Sequence, residues 1–480
     1  MKVNLIYSET NDHVIGVNND LYCKVSGDLK HFRKQTRRTI NGKKNGIVMG
    51  YNTFKSIPTT LSDDKRSMIV ISNNHYDELL EEGIEVYRTI DEIFGLNDKY
   101  LQFFIIGGSK IYHSFVNNYF DKIDLIYQTK FFEDVSNTIN NITIGPIMIA
   151  RNTINKKIEL IESNDYTEMG QIFNGNEYIT KSIDYQINIY QKKEMINHTE
   201  LNYLKLLKKI ITEKNIKTGR NGDIYSYFGG RLEFDLRESF PIITTKRMPC
   251  KTILRELLWF IRGSTSNKEL NDKNVHIWDL NASREFLDSR NLNYKDGDLG
   301  PIYGFQWRHF GAEYKDCDTD YTNKGVDQLK WIIDEIKKNP SSRRLIMSAW
   351  NPIDLDKMAL PPCHLMIQFN IDGEYIDGQM YQRSGDMFLG IPFNITSYSF
   401  LISIIGKLTG YIPRKFIHII GDAHIYLEHE EAVLKQLERY PLKYPKLEIK
   451  NMTNIDDIHE DMFNIIDYQY FEGIKAPMIM

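Results

Sequence analysis

Chemistry concentrates around one cysteine in the second half of the chain. Cys363 stands in MALPPCHLMIQF, directly after two prolines and before a strand-like run. An isolated cysteine reads first as a small buried core residue. Its arginine company adds a second reading. Arg343 and Arg344 follow a helix end, Arg383 and Ser384 end a strand in QRSGD, and Arg220 lies in the glycine-rich turn TGRNGD. Singly each arginine reads as a surface charge; together they could form a guanidinium clamp for a phosphate. The same positive field lowers a thiol pKa and favours the nucleophilic thiolate.

The first half offers two weaker signals. Asp28 sits where an irregular stretch turns into a helix carrying Leu29, Phe32 and Thr36. A carboxylate there is either a helix N-cap or the single acid of an active site. In IIGGSKIYHSF, residues 105 to 115, a strand runs through a Gly-Gly pair into a helix. Glycines let a backbone approach a phosphate and the helix N-terminus attracts the anion, although a strand-to-helix turn with glycines is often only a tight turn. The full dinucleotide fingerprint is absent.

These residues need two frameworks. At 480 residues the chain is too long for one ordinary core. All five tryptophans fall after residue 250, and of fourteen prolines only Pro58 and Pro146 lie in the first 200 residues. The short polar stretch KKEMINHTE, 192 to 200, is the natural join. Before it, VNLIYS, GIVMG, MIVIS, IEVYR, FFIIGG and IDLIYQT alternate with helical patterns, which predicts an α/β domain with a central mostly parallel sheet covered on both faces. After it, amphipathic helices such as CKTILRELLWFIRG mix with alternating strands, and LMIQFNIDGEYIDGQMYQRS reads as a hairpin around Asp372-Gly373. That is an α+β domain. The expected boundaries are 1–192, a junction at 193–200, and 201–480.

Composition narrows the class. With 41% hydrophobic and 26% charged residues and a net charge of −4, the chain reads as a globular protein with no stable nucleic-acid partner. Its four cysteines have no CxxC spacing, which argues against a disulfide framework or a metal site and for a reducing compartment. The polar N-terminus lacks a signal-peptide pattern, and YSFLISIIGKLTGY is too short and broken for a membrane span, so a cytoplasmic protein is expected.

The motifs FGGRLEFDLRESFPIITTKR, RELLWFIRGST, GPIYGFQWRHFG, SSRRLIMSAWNP, MALPPCHLMIQF, QMYQRSGDMFLGIPFNITSY and GDAHIY resemble thymidylate synthase, in that family's order, across most of 201–480. The resemblance implies that Cys363 adds to C6 of dUMP and that 5,10-methylenetetrahydrofolate supplies the methyl group. It further implies that Arg220, Arg383 and Ser384 hold the phosphate, with Arg343 and Arg344 contributed by the partner in a homodimer formed through this domain. Asn394 would bond the uracil edge, and His424 and Tyr426 the ribose. Glu256 would organise water for proton transfer, Asp386 would bind the pterin, and Trp278 and Tyr303 would line the reacting centre. Asn394 favours dUMP over dCMP, because relatives acting on dCMP carry aspartate there. Asn281 and Gly385 depart from common family residues, and the loop around Arg220 is about two residues short of the commonest form.

VIGVNN, SGDLKHF, VMGYNTFKSIP, KRSMIVIS, IIGGSKIY and IDLIYQT resemble dihydrofolate reductase over residues 1 to about 130; from 131 to 192 that family's acidic-Phe-Pro segment has no clear match. The resemblance implies that Asp28 binds the pterin and helps protonate N5 before hydride arrives from NADPH. Phe32 would pack on the folate, Arg66 would pair with its glutamate carboxylate, and Thr129 would stand behind Asp28. Gly107, Gly108, Ser109 and Thr53 would lie along the cofactor pyrophosphate. Where the family usually reads Leu-Pro-Trp, this chain has Leu21, Tyr22 and Cys23. Tyr51 replaces a frequent arginine, for which Lys110 or Arg88 would compensate. As a whole the chain resembles the fused bifunctional dihydrofolate reductase-thymidylate synthase family. The alternative is an active synthase whose reductase-like half is impaired and serves as a binding or dimer-stabilising module.

Overall fold

A computed structural model describes residues 2–57, 61–135, 139–146, 157–219 and 221–479. They fall into two compact units, Met1–Ile196 and Asn197–Met480.

The first unit is built on a nine-stranded sheet. Its spatial order is Cys23–Lys24, Ile158–Phe173, Tyr178–Lys192, Ile123–Phe131, Lys2–Glu9, Gln102–Gly107, Asn45–Gly50, Arg66–Ile71 and Val86–Tyr87. Every pairing from Ile123–Phe131 to Val86–Tyr87 is parallel. These are the near-continuous apolar runs, which need cover on both faces. Val3, Leu5, Val48, Ile69, Phe103 and Ile105 pack there with Tyr112 and Phe115 of the helix Ser109–Asn118.

The other edge is antiparallel. Ile158–Phe173 and Tyr178–Lys192 form a long hairpin closing at the Phe173–Tyr178 pair. Only its second strand is visible in the sequence, where Ile183, Tyr185, Ile187 and Ile189 alternate inward. The first is mostly exposed, so it carries neither an apolar run nor a clean alternation. A small sheet, Ile142–Ile144 with Val14–Val17 and Asp20–Leu21, was equally unmarked.

The helix Ser26–Thr36 corrects one expectation. Its N-cap is Val25, in extended backbone at φ −126° and ψ 133°. Asp28 therefore lies within the first turn and is not the cap. Tyr22 and Cys23 are buried with Val14, Val17, Phe131, Ile172 and Tyr185, so the unusual Tyr-Cys pair is core material. Burial pushes both their pKa values up to about 12.

The second unit is a six-stranded sheet ordered Ile216–Gly219, Gly222–Asp235, Ile412–Tyr426, Tyr375–Asp386, His364–Asp372, Ile346–Ser348. The hairpin between the strands His364–Asp372 and Tyr375–Asp386 turns at Gly373, whose φ of +59° suits glycine. Tyr375–Asp386 and Ile412–Tyr426 run parallel, and the helix Gly390–Thr409 connects them. By length and apolarity that helix would suffice to cross a membrane, yet 83% of its apolar window lies inside the fold. It ends at Gly410, in the left-handed region at φ +82°, whose N–H returns to the Gly406 carbonyl at 2.8 Å.

Candidate active sites

Cys363 lies half-buried immediately before the strand His364–Asp372. Three contacts fix it. Its own N–H donates to the Tyr303 oxygen at 2.7 Å, and its carbonyl accepts from the Arg383 N–H at 2.8 Å. The Arg383 guanidinium bonds the carbonyls of Pro362 and Pro361 at 2.8 and 3.0 Å, leaving Nη2 at 3.8 Å from the Cys363 sulfur. The two prolines thus present carbonyls without competing N–H groups, and the arginine that reads them also faces the thiol.

A wall of buried aromatics adjoins this cysteine. Tyr303, at the start of the helix Tyr303–His309, stacks on His364 with centroids 4.2 Å apart and contacts Trp278 edge-on at 6.1 Å. Trp278 Nε1 donates to Glu256 Oε1 at 2.8 Å from the helix Cys250–Ile261. Burial pushes Glu256 up to about 7, partly opposed by that hydrogen bond. A carboxyl poised there can both give and take a proton near neutral pH. His364 is driven down to about 3 by burial and stays neutral, its Nδ1 2.7 Å from the Tyr398 hydroxyl.

Asn394 belongs to the first turns of the helix Gly390–Thr409. Its Oδ1 accepts from Gln382 Nε2 at 3.2 Å, and Gln382 Oε1 lies 2.9 Å from His418 Nε2. Gln382 Nε2 also donates to the Ser384 carbonyl at 2.9 Å. His418 is fully buried and pushed down to about 3, chiefly by burial, so neutral His418 donates and orients the amide chain. Sequence reasoning named Asn394 and Ser384 but missed Gln382 and His418; their only signal was the inward parity of two strands.

Asp386, on the same strand, accepts from the Phe388 and Leu389 N–H groups at 2.8 and 3.2 Å and lies 3.6 Å from His429 Nδ1. Burial raises its pKa, but His429 and those N–H groups outweigh it and hold the carboxyl below its ordinary range. His424 and Tyr426 share a strand face with rings 5.3 Å apart. Arg343 and Arg344 are exposed and make no contact with the Cys363 group among the described residues. Arg220 lies outside the described residues.

In the first unit Asp28 is half-buried, and the Thr129 hydroxyl donates to its Oδ1 at 2.6 Å from the strand Ile123–Phe131. Burial pushes Asp28 up to about 6, with Glu168 adding to the rise and Thr129 opposing it. Phe32 is half-buried one turn on. Arg66 is buried, with Nη1 donating to Thr36 Oγ1 at 3.0 Å, while Nε and Nη2 reach Asp63 Oδ2 at 3.1 and 2.8 Å. Its fork is therefore already engaged by the chain's own carboxylate.

The glycine turn is tight. Gly107 has φ +116°, and a Cβ on Gly108 would lie 3.1 Å from Thr53 Oγ1. Gly108 caps the helix Ser109–Asn118 without a side-chain bond, so this end offers first-turn N–H groups to an anion. That cradle fits a pyrophosphate. Ser109 Oγ donates to the Ile144 carbonyl at 2.6 Å. Tyr51 stacks on His75 with centroids 3.7 Å apart, and the Arg88 guanidinium lies over Tyr76 and pairs with Asp77 at 3.1 Å.

Comparison with known proteins agrees with this division. A thymidylate synthase family model matches residues 201–480, and a dihydrofolate reductase model matches residues 2–140. A putative bifunctional dihydrofolate reductase-thymidylate synthase of Oryza sativa subsp. japonica is 39% identical, covering 97% of this chain and 99% of the relative. The bifunctional protein of Paramecium tetraurelia is 38% identical over 97% of this chain and 96% of its own length. A thymidylate synthase of equine herpesvirus 2 is 49% identical over 59% of this chain and 99% of itself. With family models over both parts and full-length relatives of this order, the chain belongs to the bifunctional dihydrofolate reductase-thymidylate synthase family.

Proposed function

We propose that this chain makes dTMP from dUMP and 5,10-methylenetetrahydrofolate in its second unit and reduces the released dihydrofolate with NADPH in its first. The observation that carries the reading is the Cys363 sulfur 3.8 Å from the Arg383 guanidinium, beside the Glu256–Trp278–Tyr303 wall. Addition of the Cys363 thiolate to C6 of the uracil ring forms an S–C bond and moves the ring's electron pair to C5. C5 then bonds the methylene carbon of the folate as its bond to N10 opens, and loss of the C5 proton expels N5, leaving an exocyclic methylene on the ring and free tetrahydrofolate. Hydride from the reduced folate completes the methyl group as the thiolate leaves, so the folate departs as dihydrofolate. Glu256, near 7, supports the proton traffic. Asn394, oriented through Gln382 and His418, reads the uracil edge. Arg383 and Ser384, with Arg220, hold the phosphate, His424 and Tyr426 the ribose, and Asp386 the pterin.

In the reductase half, Asp28 holds the pterin and delivers the proton for N5; NADPH supplies the hydride when bound. Gly107, Gly108, Ser109 and Thr53 form the pyrophosphate cradle. Arg66 faces the folate tail and Phe32 its ring. The retained Asp28–Thr129 pair favours a working reductase over a decayed one.

The domain assignment is 1–192, 193–200 and 201–480, consistent with compact units meeting between Ile196 and Asn197. The synthase half forms a homodimer. Supporting this, the face of the sheet opposite its core exposes Ile346, Met366 and Tyr381 at 39%, 38% and 36%, and Arg343 and Arg344 are left exposed to reach a partner's phosphate. Four free thiols support a cytoplasmic location. Separate assays test the reading: Cys363→Ser abolishes dTMP formation and leaves NADPH oxidation intact, while Asp28→Asn does the reverse. Either variant keeping its own activity overturns the corresponding half.

A further inference from the structure

The helix that carries Asp28 starts without a cap of its own, since Val25 contributes no side-chain bond. A carboxylate from a strand far along the chain takes that place. Glu168 Oε1, in the hairpin strand Ile158–Phe173, accepts the Gly27 N–H at 2.5 Å and the Tyr185 hydroxyl at 3.1 Å. Only glycine fits at this junction: a Cβ on Gly27 would lie 2.1 Å from the Tyr185 oxygen and 2.8 Å from Glu168 Oε1. Tyr185 is itself fixed, stacked on Tyr166 at 5.3 Å and tilted against Phe131 at 5.8 Å. A negative group on a first-turn N–H is stabilised by the helix dipole. Here the same charge sits one residue from the proposed acid.

The groups facing Asp28 come from every side. Thr129 approaches from the sheet, Tyr112 from the helix Ser109–Asn118, Tyr185 and Glu168 from the hairpin, and Cys23 from the edge strand Cys23–Lys24. Burial raises Tyr112 and Tyr185 well above their ordinary values and Cys23 to about 12, so these three are neutral near pH 7. Glu168 is the acidic side chain that the hairpin brings to this group.

We propose that Glu168 is a positioning residue of the reductase site, anchoring the first helical turn through Gly27 and setting an acidic side chain beside the turn that carries Asp28. This rests on Asp28 being the acid of that site. Nothing in the motif pattern marks Glu168, which lies where the resemblance to the reductase family is weakest.

Glu168→Gln in the full chain tests it, because the amide oxygen still accepts from Gly27 and Tyr185 while the charge is gone. The pH midpoint of hydride transfer should move to lower pH, and the rate at pH 7 should fall by about two- to fivefold, with a much smaller loss at the low-pH plateau. Infrared difference spectra against Asp28→Asn should show the Asp28 carboxyl titrating at lower pH. An unmoved or raised midpoint overturns the electrostatic role. Glu168→Leu removes the acceptor too and should also lower the plateau; a plateau equal to that of Glu168→Gln overturns the anchoring role. Asp28→Asn separates the two levels: if it retains the wild-type rate, the assignment of the acid fails, whatever Glu168 does.

Discussion

Asp63 Oδ2 sits on the fork of Arg66, accepting from Nε at 3.1 Å and from Nη2 at 2.8 Å. Arg37 grips the same carboxylate, and its Nη2 also pairs with Asp64 at 3.0 Å. A carboxylate on a guanidinium fork occupies the geometry that a folate tail carboxylate would use. Asp63→Asn should therefore lower KM for dihydrofolate by about three- to tenfold with little change in kcat. A substrate lacking the glutamate tail should show no such gain. Steady-state kinetics with both substrates decide this; an increase in KM would mean that Asp63 positions Arg66 rather than competing for it.

Burying the Asp28 carboxyl has a cost that depends on pH. Burial pushes its carboxyl up to about 6 in the folded state, above the 3.8 of a free aspartate. The folded state thus binds more protons than the unfolded chain between those values, and stability falls as pH rises through that window. Asp28→Asn should stabilise the reductase unit by about 2–3 kcal/mol at pH 7 and by much less at pH 4. Hydrogen exchange of the amides in Ser26–Thr36 measures the gain, alongside loss of NADPH oxidation.

The hydrogen bond from Trp278 lowers the Glu256 pKa against the upward push of burial. Trp278→Phe should shift the Glu256 limb of the pH–rate profile for dTMP synthesis to higher pH. Glu256→Gln should cost about 10²–10⁴ in kcat while the fold survives. A Trp278→Phe profile shifted to lower pH would break the assignment of that limb to Glu256.

Glu200 is fully buried in the helix His198–Glu213 and closes the start of the second unit. It accepts the N–H groups and hydroxyls of Thr244 and Thr245 at 2.8–3.0 Å. Glu200→Ala strands those donors in the core and should destabilise this unit by about 3–5 kcal/mol. Urea unfolding followed by tryptophan fluorescence reads it directly, since all five tryptophans lie after residue 250.

Much of the architecture was legible in the chain itself. Apolar runs such as Asn45–Gly50 marked the parallel strands because a strand buried on both faces has no polar side to show. The Asp372-Gly373 turn announced its hairpin through a residue free to adopt positive φ. Cys363 drew notice from its prolines and arginines, and Arg383 does reach both. What needed tertiary structure was the geometry of groups distant in sequence and the partners that no motif marks. Asp28 read as either a cap or an acid, and only the backbone showed that the chain leaves extended geometry at Val25, so that the carboxyl turns from the helix end to Thr129, 101 residues on. Glu168 and the exposed strand that carries it had no periodic signature. Gln382 and His418 looked like ordinary strand positions until pairing of their strands aimed one amide at Asn394. Residue type sets which bonds a side chain can make; burial and long-range pairing choose which it makes, and move its proton affinity in doing so.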